Sequence, residues 1–386
     1  MLWQSIFYFV HFAFHSVLLV FLPIHCQQLG FSAFEISFIN GSIYLAMMLA
    51  SPIFTQLLTS SINTNSLILK ASFISTICFG VLEFITDFNA FIILLFFTVF
   101  FVKGAHIIVE AKSIRYSETL KNNFHLIRIG GSLGFMIAVF TIGFLIDKFN
   151  WKVILPFGIG ASITIIIVSL ILLKSEPELF ASSIKLKAKT KFTPSNSFLL
   201  LLLIQFLSWV SHAPFYTFFA IYLREIGWST SQVSLAWNLG VLAEVILFYN
   251  FYRLQSKMNL GYLLIIATFL TTIRWLLIAL SKLSWVIFTS QILHAATFGL
   301  FFLVSTKLVF HLLPEDSKDR GQGVLAAAGV GMGSLAGRIL FAYLSSRLQS
   351  YQNVNLLFYT SALISFACFI LAVRLAKMIN SDLVRN

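Results

Sequence analysis

The sequence predicts an all-α integral membrane protein, with twelve transmembrane helices in two pseudo-symmetric six-helix bundles, and three observations predict it. Apolar residues make up 59% of the chain and its mean hydropathy is +0.91, against roughly 45–50% apolar in a soluble domain. Only 10% of residues are charged, where a soluble domain has about 25%. Apolar runs recur along all 386 residues and are interrupted near the middle by one long polar segment, KSEPELFASSIKLKAKTKFTPSNS. A spanning helix takes about 20 mostly apolar residues, so most of the chain lies in the bilayer.

A window of about 19 residues sets the helices near 4–28, 34–58, 66–86, 88–112, 126–147, 151–173, 197–223, 232–254, 260–281, 284–311, 321–346 and 352–376. The first stretch lacks a basic leader and an A-x-A cleavage site, so a retained helix is expected rather than a signal peptide. Residues 1–173 form the N-terminal bundle, 174–196 a cytoplasmic central loop, and 197–386 the C-terminal bundle with a short cytoplasmic tail. Lys112, Lys174, Lys185, Lys187, Lys189, Lys191, Arg253, Lys257, Lys318 and Arg374 fall on one side of this topology; Lys148, Lys152, Arg224, Lys282 and Arg347 remain on the other. Cytoplasmic loops hold the Lys/Arg excess, so both termini are expected in the cytoplasm of a plasma (inner) membrane protein. The net charge of +12 is thus an orientation signal, and no nucleic-acid partner is expected.

The two halves resemble each other. HSVLLVFLPIHCQQLGFSAFEIS from His15 aligns without a gap on HAPFYTFFAIYLREIGWSTSQVS from His212, pairing Gly30 with Gly227 and Ser32 with Ser229. Helix five carries Gly130 and Gly134, and helix eleven Gly329, Gly333 and Gly337, at a four-residue spacing that lets backbones approach closely. Such stripes serve static packing, and they also suit helices that slide. Internal repeats of this kind are a transporter architecture.

Within VKGAHIIVEAK, residues Lys103, His106 and Glu110 share one helical face. A mid-bilayer charge costs at least ~2.5 kcal/mol, so these groups are expected to face a bundle interior or an aqueous cavity. Solvation of Glu110 and Lys112 at the cytoplasmic end is the alternative. Further intramembrane charges are Arg128, Glu244, Arg274 and Arg338, with His294. Arginine keeps its charge when buried and therefore needs an anion. Glu244 is the expected anion for Arg274, with His294 standing between carboxylate and solvent as a group that titrates near neutrality; a buried pair that only holds helix register is the other reading. Arg338 falls near the external end of its helix and is expected to snorkel or gate. His212, Tyr216, Trp237 and Trp209 offer rings with polar tips suited to a flat or ring-shaped solute, and otherwise serve as core.

The segments SHAPFYTFFAIYLREIGWS, LGVLAEVILF, TIRWLLIA, QILHAATFG and RIGGSLGF carry a resemblance. The chain resembles the major facilitator superfamily over its full length, and within it the phenylpropionate permease-like proteins, related to lactose permease-type sugar–proton symporters. The resemblance implies that Glu110 and Arg128 bind substrate, and that Glu244, Arg274 and His294 take part in substrate binding and proton coupling. The family's proton-carrying glutamate falls here on Thr297, and the G-x-x-x-D-[RK] loop signature is degraded to PIFTQLLTSSINTN.

The expected function is alternating-access, proton-coupled uptake of a small organic solute of the aromatic acid, sugar or nucleoside class. Lys103, Glu110, Arg128, His212, Tyr216 and Trp237 are expected to bind it, with Lys103, Arg128 and Arg274 favouring a carboxylate. A uniporter or efflux carrier of the same fold is the alternative, and an integral membrane enzyme a distant one. HFAFH, with His11 and His15, is a single histidine box, no H-E-x-x-H exists, and Cys26, Cys78 and Cys368 lack metal-ligand spacing. No enzymatic activity, cofactor or metal is expected, and the partners are the solute, protons and lipid, with the chain a monomer.

Overall fold

The computed structural model describes residues 2–58, 63–119, 124–175, 194–348 and 350–385. Among these residues there is no strand. Twelve helices among them are long and apolar enough to cross a membrane: α1 Leu2–Gln28, α2 Ala33–Leu58, α3 Thr64–Phe84, α4 Phe88–Ile114, α5 Ile127–Phe149, α6 Trp151–Lys174, α7 Asn196–Glu225, α8 Thr230–Gln255, α9 Leu260–Leu280, α10 Ser284–Leu312, α11 Arg320–Ser345 and α12 Tyr351–Ile379. Two helices continue beyond their predicted windows, α4 to Thr119 and α12 to Arg385. Hydropathy ends where polar residues begin, whereas helix propagation continues through good formers such as Glu, Lys, Arg, Leu and Met. The expected tail is therefore helical through Arg385. Most of the expected central loop, residues 176–193, lies outside the described residues.

Local chemistry explains how each half begins. Helix α1 ends in a Schellman arrangement, in which Phe31 N–H donates to Cys26 O and Gly30 N–H to Gln27 O, and α7 ends identically through Trp228 to Leu223 and Gly227 to Arg224. Both arrangements need a left-handed residue, supplied by Gly30 at φ +90° and Gly227 at φ +97°. The following helices open with matching capping boxes. Ser32 and Glu35 exchange side-chain-to-amide bonds before α2, as do Ser229 and Gln232 before α8. The alignment that pairs His15 with His212 thus also pairs two turns bond for bond.

The chain folds as two compact units, Met1–Lys187 with Ser229–Ser234, and Ala188–Trp228 with Leu235–Asn386. In the first, α5 lies so close to α1 that a Cβ on Gly134 would stand 2.0 Å from Phe9 O. In the second, a Cβ on Gly333 of α11 would stand 2.6 Å from Phe206 O of α7. Phe9 and Phe206 each lie six residues before the aligned His15 and His212, so the small residues meet corresponding positions of α1 and α7. The Ser229–Ser234 turn joins the first unit because Asp147, at the end of α5, accepts hydrogen bonds from the Thr230 and Ser231 amides, each 2.8 Å. These are amides that a helix N-terminus leaves without intrahelical partners.

The second unit's core joins α7, α9, α10 and α12 through residues such as Phe198, Leu201, Leu264, Leu308 and Leu375. Large apolar side chains such as Phe144, Ile246 and Leu363 are exposed on outer faces. Hydrocarbon solvates such surfaces, so helix association in a bilayer rests on close packing and polar contacts rather than on apolar burial. The α-helical ladder widens into π-turns at Val17–Phe21, Ala295–Leu300 and Ala327–Gly333.

Candidate functional site

In the first unit the polar face of α4 meets α1. Lys103 Nζ lies 3.5 Å from His106 Nδ1, which is 3.9 Å from Glu110 Oε2. An ammonium only donates, so His106 Nδ1 accepts and the ring's N–H sits on Nε2, buried and without a partner among the described residues. From α1, His11 stacks on His106 with centroids 4.3 Å apart, and Tyr8 and Phe12 meet the same ring edge-on at 5.2 and 5.7 Å. His15 lies one turn along, 6.4 Å from His11. Sequence reasoning saw His11 and His15 as a histidine box, and His15 as a repeat partner of His212, and missed Tyr8; the four-residue spacing of the two histidines on one face of α1 was the available signal. Arg128 is exposed, and the side chain that Glu110 approaches is His106, a neutral ring in this tautomer. Lys112 corrects the solvated alternative, since it is buried and donates to Asn65 Oδ1.

In the second unit Arg274 is fully buried. One terminal nitrogen donates to Thr297 Oγ1 and contacts His294 Nδ1, both at 3.0 Å; the other donates to Gln291 Oε1 at 3.0 Å. The guanidinium lies over Phe215 at 4.3 Å and near Trp275 at 4.8 Å, cation–π contacts that strengthen on desolvation. A guanidinium cannot accept, so His294 Nδ1 does, and Nε2 carries the N–H that faces Glu244 Oε2 at 3.6 Å. His294 thus contacts both Glu244 and Arg274, one through each ring nitrogen. Gln291 and Phe215 were missed, because neutral and aromatic residues carry no charge signal in an apolar helix.

The predicted aromatic residues of α7 and α8 do meet. His212, Tyr216 and Trp237 are all buried. Tyr216 stacks with Trp209 and His212, each at 6.3 Å, and lies 6.1 Å from Trp237. His212 Nδ1 donates to Ser208 O at 2.8 Å, the only sense possible toward a carbonyl. Trp209 and His212 line a cavity in this unit, and Tyr216 and Trp237 are not part of its wall.

Residues 1–353 match the model of a family described as "MFS_1 like family". The chain belongs to that family, within the major facilitator superfamily. The transporter is 26% identical to "Probable 3-phenylpropionic acid transporter" of Escherichia coli (strain K12) over 88% of its length and 89% of that protein. It is 22% identical to "Maltose permease" of Geobacillus stearothermophilus over 89% and 87%. A match to "Uncharacterized transporter YwbF" of Bacillus subtilis (strain 168), 25% identical, spans 60% of that protein. Among solved structures, the nucleoside transporter NupG superposes with a TM-score of 0.82 at 16% identity, covering 96% of this chain and 98% of that one. That likeness establishes the fold.

Two positions singled out in the transporter's sequence take on definite surroundings. Thr297 accepts from Arg274, so a neutral hydroxyl helps hold the guanidinium where the resemblance sets a glutamate. Arg338 is not a snorkelling residue. Only 1% of its surface is exposed, and it donates to Ser334 O one turn back at 3.0 Å. A hydropathy window gives depth along a helix but not which face meets lipid.

Proposed function

We propose that the protein is a proton-coupled uptake transporter for a small organic solute, working by alternating access of the 1–173 and 197–386 bundles, as a monomer in the plasma (inner) membrane with both termini cytoplasmic. The observation that carries the reading is the chain from partly buried Glu244 through His294 to fully buried Arg274. A carboxylate and an imidazole 3.6 Å apart can exchange a proton, and a fixed cation beside the imidazole makes its protonation depend on what else the cluster binds. Glu110, Arg128 and Lys103 in the first unit and His212, Tyr216 and Trp237 in the second are the proposed substrate contacts. The aromatic acid, sugar and nucleoside named for its relatives and its structural neighbour support this range of solutes. A uniporter is the second reading, favoured by Thr297, which cannot carry a proton.

Right-side-out vesicles offered labelled aromatic acids, sugars and nucleosides, with and without an inward proton gradient, test the reading. Gradient-dependent accumulation of one class is expected. Brisk counterflow without any such accumulation means uniport.

A further inference from the structure

The second unit contains a partly open cavity in which the centres of water-sized spheres fill about 70 Å³. Its wall includes Gln205, Trp209 and His212 of α7, Thr297 and Phe298 of α10, and Val330 of α11. Small-molecule sites combine apolar walls with a few convergent polar groups, and this wall has both.

The polar groups have a definite sense. His212 donates through Nδ1 to Ser208 O, which leaves Nε2 of the neutral ring as an acceptor. That Nε2 has no partner among the described residues, nor does Gln205 Oε1, and both side chains belong to residues only 4% exposed. Buried acceptors left unsatisfied are costly and uncommon, and an occupant bearing hydroxyl groups would satisfy both. A carboxylate would instead set lone pairs against lone pairs. The Gln205 amide also supplies N–H donors, so it can both give to and accept from a hydroxyl. Trp209 and Phe298 meet at 80° with centroids 6.0 Å apart, forming a corner that presents aromatic surface to a ring. The π-turns of α10 and α11 contribute Thr297, Phe298 and Val330 to this wall, and π-turns recur at functional sites.

We infer that this cavity is a binding site for a neutral ring-shaped solute bearing adjacent hydroxyl groups, the chemistry shared by glycosides and nucleosides. The inference rests on the transport reading only in taking the occupant as the transported solute. Because the Thr297 hydroxyl already holds Arg274, an occupant touching Thr297 is one residue from the buried charges.

Calorimetric titration of the detergent-purified full chain with maltose, uridine and 3-phenylpropionate tests it without any proton gradient, so failure of symport leaves the result intact. Maltose or uridine is expected to bind, and the one that binds identifies the source. His212→Phe, which keeps a ring but removes the acceptor, and Gln205→Leu should each weaken that binding by about tenfold. His212→Gln, which restores an acceptor, should recover part of it. Monodisperse elution of each variant serves as the folding control, and the two substitutions on separate side chains guard against a local fault in either. Three results overturn the inference: neither neutral solute binds, binding changes less than about twofold in both variants, or 3-phenylpropionate binds and is the ligand the variants lose.

Discussion

At the scale of single residues, the second unit solves a problem set by Arg274. A buried guanidinium needs acceptors, and here three are neutral, Gln291, Thr297 and His294, the last of which faces the Glu244 carboxylate with its other ring nitrogen. Glu244→Gln, which mimics the protonated acid, should lose accumulation against a gradient yet keep exchange, because exchange needs no net proton cycle; uphill uptake compared with counterflow measures this. His294→Ala should remove or shift the pH dependence of uptake. Equal pH profiles in wild type and variant would assign the cluster to holding helices in register. In the first unit, Glu110→Gln should loosen His106 and abolish substrate binding, as should Arg128→Lys, since a lysine lacks the planar fork of arginine. Normal binding in both variants, measured at unchanged protein level, would remove the pair from the site.

Elements are held by contacts that leave little room for change. At Gly134 even a methyl group would overlap Phe9 O, so Gly134→Val should cut the folded yield in detergent sharply, with Gly160→Ala, where nothing lies within 4 Å, as the tolerant control. Asp147 caps two amides at the start of α8. Asp147→Ala should cost about 1–2 kcal/mol, seen as a lower melting temperature, and Asp147→Asn less, since its amide oxygen still accepts one bond. An unchanged melting temperature in Asp147→Ala would make the cap energetically idle.

For the whole molecule, orientation is the first quantity to test. Reporter fusions after Lys191 and at the C-terminus should both report cytoplasm, because the Lys/Arg excess lies in those segments. An external signal at either point breaks the proposed twelve-helix topology. The family and fold set the frame of a membrane transporter. The solute and the coupling ion follow from the vesicle and titration experiments.

Hydropathy alone was enough to read twelve helices, their order and the membrane class, because a spanning segment must be apolar for its whole length and each must satisfy its backbone internally. Intramembrane charges were equally legible, since Lys103, Glu110, Arg128, Glu244 and Arg274 stand out in such a background. The gapless alignment made two turns legible too, as Schellman glycines and capping boxes are local chemistry. Partners were not legible. Helical periodicity tells which residues share a face but not which face of another helix meets it, so only the tertiary structure could set His11 on His106, put His294 between Glu244 and Arg274, and bury Arg338. Gln205 and Gln291 matter for the same reason: a neutral hydrogen-bonding group gives no signal in sequence until folding removes the water that would otherwise satisfy it.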